Sequence, residues 1–275
     1  MSVTDWFSLN KNIEGVLLDI SGVLYNSDAS GGKAIAGSVE AVKRLKASHL
    51  KVRFCTNESQ HIRSHLVQRL QGLGFDVEAH EVFSPAPAAC QLVKDRGLVP
   101  HLLVDDKILP EFDAFKDDEG KTPNCVVIGD AVERFTYQTL NDAFRVLIAS
   151  EEPLLITLGI GKYYRESGEL MMDVGPFTKA LEYAADCKAE IVGKPSPSFF
   201  QAALKDMGVD SSKAIMIGDD IVNDVGGAQK CGMRGIQVRT GKFRPSDENH
   251  PEVKPDCYVD DLSDAVNRLL SCSSS

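Results

Sequence analysis

The chain has 275 residues, 43% apolar and 25% charged, which excludes a disordered or collagen-like protein and suits two α/β units with separate cores. A net charge of −10 excludes a general binder of nucleic acid or anionic membranes, because such binding needs clustered Lys and Arg. It also means that an anionic substrate must be held by local positive groups or by a metal.

No apolar stretch approaches the length of a bilayer span, and Met1–Asn12 has neither a basic flank nor an apolar signal core, so a cytosolic protein without a membrane partner is expected. The cysteines at 55, 90, 125, 187, 231, 257 and 272 are odd in number, widely spaced and free of CxxC pairs. They read as reduced thiols, and a structural zinc site is not expected.

In chain order, the apolar run Gly15-Val16-Leu17-Leu18 predicts a buried parallel strand that ends on Asp19 and runs into Ile20-Ser21-Gly22. A helix follows over Ser38–Ser48, with Val39, Val42, Leu45 and Lys46 at helical spacing. A strand over Lys51–Cys55 leads into Thr56-Asn57, and a helix over Ser59–Leu73 stops before Gly74, with Asn57 as a candidate cap. Further strands are predicted at Leu102–Val104, Cys125–Ile128, Leu154–Leu158, Glu190–Val192, Ala214–Ile217 and Gly235–Val238. The last helix is expected over Asp260–Leu270, with Ser271–Ser275 as a frayed tail. Strands alternating with helices predict an α/β fold with a Rossmann-like parallel-sheet core.

Asp19, Thr56, Lys194 after Gly193, and Asp219 in Gly218-Asp219-Asp220 each follow a predicted strand or stop. Carboxyl ends of parallel strands share one edge, where open α/β sheets bind ligands. Well over a hundred residues separate Thr56 from Lys194 without repeating this kit, yet they carry strands and helices of their own. An inserted α/β domain follows: residues 1–87 and 189–275 form the core, and 88–188 the insert.

A carboxylate, a hydroxyl, an ammonium and an acidic pair suit phosphoryl transfer. Asp19 attacks phosphorus and forms an acyl phosphate, splitting one hard hydrolysis into two easier transfers. Two anions must meet, so Mg²⁺ is the expected cofactor, with Asp19 and Asp219 as carboxylate ligands. Lys194 neutralises Asp19 and the transferring oxygens, while Thr56 and Asn57 offer a hydroxyl and backbone amides to phosphate. Three carboxylates at 219, 220 and 224 would repel, so Asp224 is expected behind the metal site, acting through water or on Lys194, and Asp220 as a helix cap. His61 and His65 lack a third ligand and read as a polar helix face, and Gly159–Arg165 is a candidate lid loop.

At Asp19, Thr56, Lys194 and Asp219 the chain resembles the haloacid dehalogenase superfamily of aspartate-nucleophile phosphatases, whose motifs occur in this order. The insert resembles the α/β cap of the subgroup containing pyridoxal phosphatase and phosphoglycolate phosphatase. The resemblance implies phosphate contacts from Asp19, Ile20, Ser21, Thr56, Asn57 and Lys194, and a metal held by Asp19, Asp219 and the backbone carbonyl of Ser21. It also implies a homodimer formed partly by the cap, and cytosolic residence extending to the nucleus. One departure stands out: most phosphatases of the group carry a second aspartate, a leaving-group acid, where this chain has Ser21. A hydroxyl is a far poorer proton donor. The expected substrates are therefore P–N and P–O–P compounds with good leaving groups: phosphohistidine or phospholysine on a protein, or diffusible pyrophosphate and imidodiphosphate.

Three alternatives remain at the level of sequence. A small phosphomonoester such as pyridoxal phosphate or phosphoglycolate is the second substrate class. A non-enzymatic phospho-aspartate receiver is disfavoured, since receivers place acids on the first strand and the acceptor on a later one. A phosphatase-like scaffold with a partner-binding cap is disfavoured by the complete motif set.

Overall fold

The computed structural model describes residues 6–7, 12–27, 32–118, 120–166 and 169–272. Residues 273–275 of the expected tail lie outside them, and Ser271 continues the last helix.

β1 (Gly15–Leu18) is buried along its whole length, as a strand sandwiched between two helical layers must be. A short hairpin, β2 (Tyr25–Asn26) with β3 (Lys33–Ala34), leads to α1 (Ser38–Lys46). Ser38, Ala41, Val42 and Leu45 form its buried stripe, with Val39 partly buried against the same core and Lys46 off it. β4 (Lys51–Cys55) precedes α2 (Arg63–Gly72), which starts later than expected. The residues before it are diverted into side-chain turns, with Glu58 N donating to Thr56 Oγ1 at 2.9 Å and Gln60 N to Glu58 Oε1 at 2.7 Å. Ile62, not Asn57, occupies the N-cap.

After β5 (Val82–Phe83) come α3 (Pro85–Asp95), β6 (Pro100–Leu103), β7 (Cys125–Ile128), α4 (Tyr137–Ile148) and β8 (Leu155–Thr157). The hairpin β9 (Tyr163–Glu166) and β10 (Glu169–Met172), then α5 (Val174–Ala185) and β11 (Glu190–Ile191), complete this stretch. The candidate lid loop is thus partly a β-strand. The chain closes with α6 (Pro197–Met207), β12 (Ala214–Gly218), a π-helical turn over Ile221–Gly226, α7 (Gly227–Lys230), β13 (Arg234–Val238), β14 (Cys257–Val259) and α8 (Leu262–Cys272).

Two parallel sheets result. The larger has the order β14-β13-β12-β1-β4-β5, and the smaller β11-β8-β7-β6. Strand alternation sends Val16, Leu18 and Phe54 toward α1, α2 and α8, and Leu17, Cys55 and Met216 toward α6. The smaller sheet divides likewise: Val127 and Ile156 pack with α3, and Val126 and Leu155 with α4 and α5.

The elements flanking the expected boundaries of 87/88 and 188/189 pack with the smaller sheet. Ala86, Ala89 and Val93 of α3 belong to the smaller sheet's core, as does Val192, and β11 pairs with β8. The outward crossing therefore lies at Ser84–Pro85 and the return just after Val192. No helix among the described residues is long and apolar enough to cross a membrane.

Candidate active site

β1 and β12 are parallel neighbours with Leu18 level with Ile217, so the residues just past their ends emerge side by side. Asp19 N donates to Ile217 O at 2.9 Å, which fixes Asp19 at the carboxyl edge with Asp219 beside it. Thr56 leaves the neighbouring β4, its N–H donating to Phe83 O at 3.0 Å. Lys194 comes from the return crossing. The Asn57 side chain holds the Lys194 backbone at two points: Nδ2 donates to Lys194 O, and Oδ1 accepts from Lys194 N, each at 2.8 Å. Those bonds take one Nδ2 hydrogen and Oδ1 of Asn57, which leaves its second amide hydrogen and its main chain for a phosphate.

The Lys194 ammonium lies 2.6 Å from Asp19 Oδ1, 2.6 Å from Asp224 Oδ1 and 3.0 Å from Cys55 O. Lys194 is 3% exposed and Asp224 1%, so water barely screens these contacts. Burial works against the Lys194 charge, but Asp19 and Asp224 outweigh it and push its pKa up. Asp224 turns its other oxygen to Asp220 N at 3.1 Å. Asp224 is thus placed to orient the lysine, one of the two roles expected for it.

Asp219 sits in a cradle that admits no extra carbon. A Cβ on Gly22 or Gly241 would stand 2.1 or 2.0 Å from Asp219 Oδ2, and both glycines have positive φ, 84° and 63°. Asp219 Oδ2 accepts from Lys242 N at 2.8 Å, whereas Oδ1 is buried and accepts no hydrogen bond among the described residues. Asp19, Asp219 and Asp224 bring carboxylate oxygens within 4.8 Å of one another. Burial pushes Asp219 well above the usual carboxylate range; Lys242 opposes the rise, and the charges of Asp19 and Asp224 reinforce it. Burial and the Asp19 charge likewise push Asp224 up, to about 7. An all-oxygen cluster in conflict with itself, in which Asp219 Oδ1 has no hydrogen-bond partner among the described residues, fits a hard divalent cation.

The other expected residues fall as follows. Ser21 lines the same cavity. Ile20 is buried in the core with its carbonyl accepting from Leu24 N at 2.9 Å, so only its main chain can face a phosphate. Asp220 caps the π-helical turn through Val222 N and Asn223 N, at 3.0 and 2.9 Å. His61 stands 3.2 Å from Arg69 and is no metal ligand among the described residues.

Sequence reasoning missed several residues that line this cavity of about 860 Å³, among them Gln60, Asp130, Asp173 and Lys242, whereas Tyr164 comes from the loop Gly159–Arg165 that the sequence marked as a candidate lid. Lys242 Nζ lies 3.2 Å from Asp220 Oδ2, adding a second ammonium to the site. Its signal was available, because Lys242 follows β13 at the same carboxyl edge. The insert supplies Asp130, Tyr164 and Asp173. Gln60 Nε2 bonds Asp130 Oδ2 at 2.7 Å and Tyr164 Oη at 3.3 Å, and the Arg244 guanidinium lies over the Tyr163 ring at 4.3 Å.

A model of haloacid dehalogenase-like hydrolases matches residues 16–114, and a HAD-hydrolase-like model matches 191–265. Human phospholysine phosphohistidine inorganic pyrophosphate phosphatase is 63% identical over 96% of this chain and 97% of its own. The bovine haloacid dehalogenase-like hydrolase domain-containing protein 2 is 43% identical over 94% and 96%. Among solved structures, 4-nitrophenylphosphatase from Thermotoga maritima superposes with a TM-score of 0.83 at 24% identity, covering 98% of this chain and all (100%) of that one. A glycerol phosphate phosphatase from Mycobacterium tuberculosis in complex with magnesium gives 0.78 at 21%, covering 93% and 78%.

Proposed function

The chain belongs to the haloacid dehalogenase-like hydrolases and is a phosphatase, and we propose that it is Mg²⁺-dependent, with Asp19 as nucleophile and P–N and P–O–P bonds as targets. The observation that carries this reading is the buried contact of Asp19 with Lys194 at 2.6 Å, beside the Asp219 oxygen that lacks a partner.

An Asp19 oxygen attacks phosphorus as the bond to the leaving group breaks, giving an aspartyl phosphate. Water then attacks that phosphorus, releasing phosphate and restoring the carboxylate. Lys194 balances charge on Asp19 and on the phosphoryl oxygens, and Asp224 keeps it aimed. Thr56 and the main chain at Ile20, Ser21 and Asn57 are assigned to the phosphate oxygens. Asp19, Asp219 and the Ser21 carbonyl would hold the cation. When bound, Mg²⁺ shields the approach of two anions.

Ser21 supports the choice of bond, since an amine or a phosphate departs more readily than an alkoxide when no positioned acid is present. The relatives named for phospholysine, phosphohistidine and pyrophosphate are consistent with that choice. Phosphate release from pyrophosphate, imidodiphosphate, phosphohistidine and pyridoxal phosphate, with Mg²⁺, for the parent and Asp19→Asn, tests it. Preference for pyridoxal phosphate would overturn the substrate class, and undiminished turnover by Asp19→Asn the nucleophile. A homodimer through the insert is also proposed: Leu170, Met171 and Met172 of β10 are 47%, 44% and 64% exposed, an unusual run for a free surface.

A further inference from the structure

A recess lined by His61, His65, Gln68, Arg69 and Lys107 adjoins the active-site cavity, and His61, Arg69 and Lys107 line both. Its basic groups come from two directions. His65 and Arg69 are four residues apart on α2, so they share a face of the helix, with His61 just before its first turn. Lys107 comes from the insert, in the 3₁₀ stretch Asp106–Asp118.

In a chain of net charge −10, carboxylates would be expected to neutralise such a group. Among the described residues, however, no salt bridge engages His65, Arg69 or Lys107. The Arg69 guanidinium reaches only Tyr25 Oη at 3.4 Å and His61 Nε2 at 3.2 Å among the described residues. The facing carboxylate is Glu58, whose Oε1 stands 3.7 Å from His61 Nδ1 and already accepts Gln60 N. His61 Nδ1 is buried and makes no hydrogen bond among the described residues. Glu58 is the one carboxylate shown acting on both His61 and Arg69, so the recess keeps an excess of positive groups, and such an excess beside a phosphate cavity focuses anions into it.

We propose that this recess is an anion subsite, holding a carboxylate or phosphate carried on the leaving-group side of the substrate. The inference rests on the phosphatase reading and deepens it: the enzyme prefers leaving groups with a second negative charge. Arg69 offers a planar fork for that anion and Lys107 a mobile point charge.

The test compares phenyl phosphate with 4-(carboxymethyl)phenyl phosphate, whose phenols are similar in acidity, so the cleavage chemistry is matched. The parent is expected to favour the carboxylated ester by roughly tenfold in kcat/KM, and Arg69→Gln and Lys107→Gln each to reduce that ratio several-fold. Equal use of both esters by the parent, or a ratio unchanged in both variants, would overturn the subsite. Lys107 is exposed, so its variant folds even if Arg69→Gln does not. Calorimetry with benzylphosphonate and 4-(carboxymethyl)benzylphosphonate, in the presence of Mg²⁺, measures the same preference without turnover. Failure to hydrolyse either ester, together with failure on pyrophosphate and imidodiphosphate, would sink the phosphatase reading alone, while the binding ratio would still decide the subsite.

Discussion

Asp224 Oδ1 stands 2.6 Å from Lys194 Nζ, the same distance as Asp19 Oδ1, so one ammonium is divided between the proposed nucleophile and a carboxylate behind it. Removing the lysine leaves two buried carboxylates uncompensated, whereas without Asp224 the lysine still faces Asp19. Lys194→Ala is expected to lower stability by about 3–5 kcal/mol and to abolish activity. Asp224→Asn keeps the shape and part of the hydrogen bonding, so a fall in kcat of about a hundredfold at nearly unchanged stability is expected. Denaturant melts alongside single-turnover kinetics check both, and a Lys194→Ala protein as stable as the parent would refute the buried-pair argument.

The self-repelling carboxylates predict a thermal signature independent of catalysis. Mg²⁺ at a hundred times its Kd should add about 2.7 kcal/mol of stability, seen as a rise in Tm. Asp219→Asn should melt higher than the metal-free parent, because one buried charge has gone, and should lose the response to Mg²⁺. A variant that still responds in full would remove Asp219 from the cation site.

Asp173 offers a pH test away from that cluster. Burial pushes its carboxyl up to about 6, against Val174 N and Lys242, with Asp130 and Asp220 adding to the rise. A raised carboxylate pKa means the folded state binds the proton more tightly than the unfolded one. The stabilising contribution is then present below the unfolded value near 4 and is lost as pH climbs through 6. Asn retains the cap on α5 without the charge. Asp173→Asn should therefore gain up to about 2 kcal/mol over the parent at pH 7, and the advantage should vanish below pH 4. Melts across that range check it, and a constant difference would contradict the assignment.

Gly241→Ala tests the cradle. The added carbon would meet Asp219 Oδ2 at 2.0 Å and impose strain at a positive φ of 63°. A loss of about 1–3 kcal/mol is expected, with weaker Mg²⁺ binding as Asp219 moves. Mg²⁺-dependent melting measures both; unchanged affinity would mean that Asp219 does not hold the ion.

Ser21→Asp should restore a leaving-group acid. Turnover of a simple alkyl phosphate is expected to rise about a hundredfold relative to imidodiphosphate. If the ratio of the two rates does not change, Ser21 does not set the bond preference.

The sequence pattern made the strand-end residues legible, because a parallel sheet converts chain order into spatial adjacency. Asp19, Thr56 and Asp219 meet for that reason, and Lys194 joins them from the return crossing, held there by Asn57. What stayed hidden was carried by short elements and by side chains acting across long separations. β5 and β14, of two and three residues, are too brief to show periodicity. The Asn57 amide read as a helix cap because that role is local, whereas its actual partner lies 137 residues away. Asp130 and Asp173 join the cavity only because the insert folds back over the core, a placement no local pattern encodes.

The dipeptide Thr56-Asn57 grips both places where the chain passes to and from the insert: Thr56 N takes Phe83 O on the outward side, and Asn57 takes the Lys194 backbone on the homeward side. These two rivets hold the hydrolytic machinery still whatever is built between them. Evolution, or an engineer, is free to exchange the whole intervening module for one of another outline, changing what is recognised while the bond-breaking apparatus passes on intact.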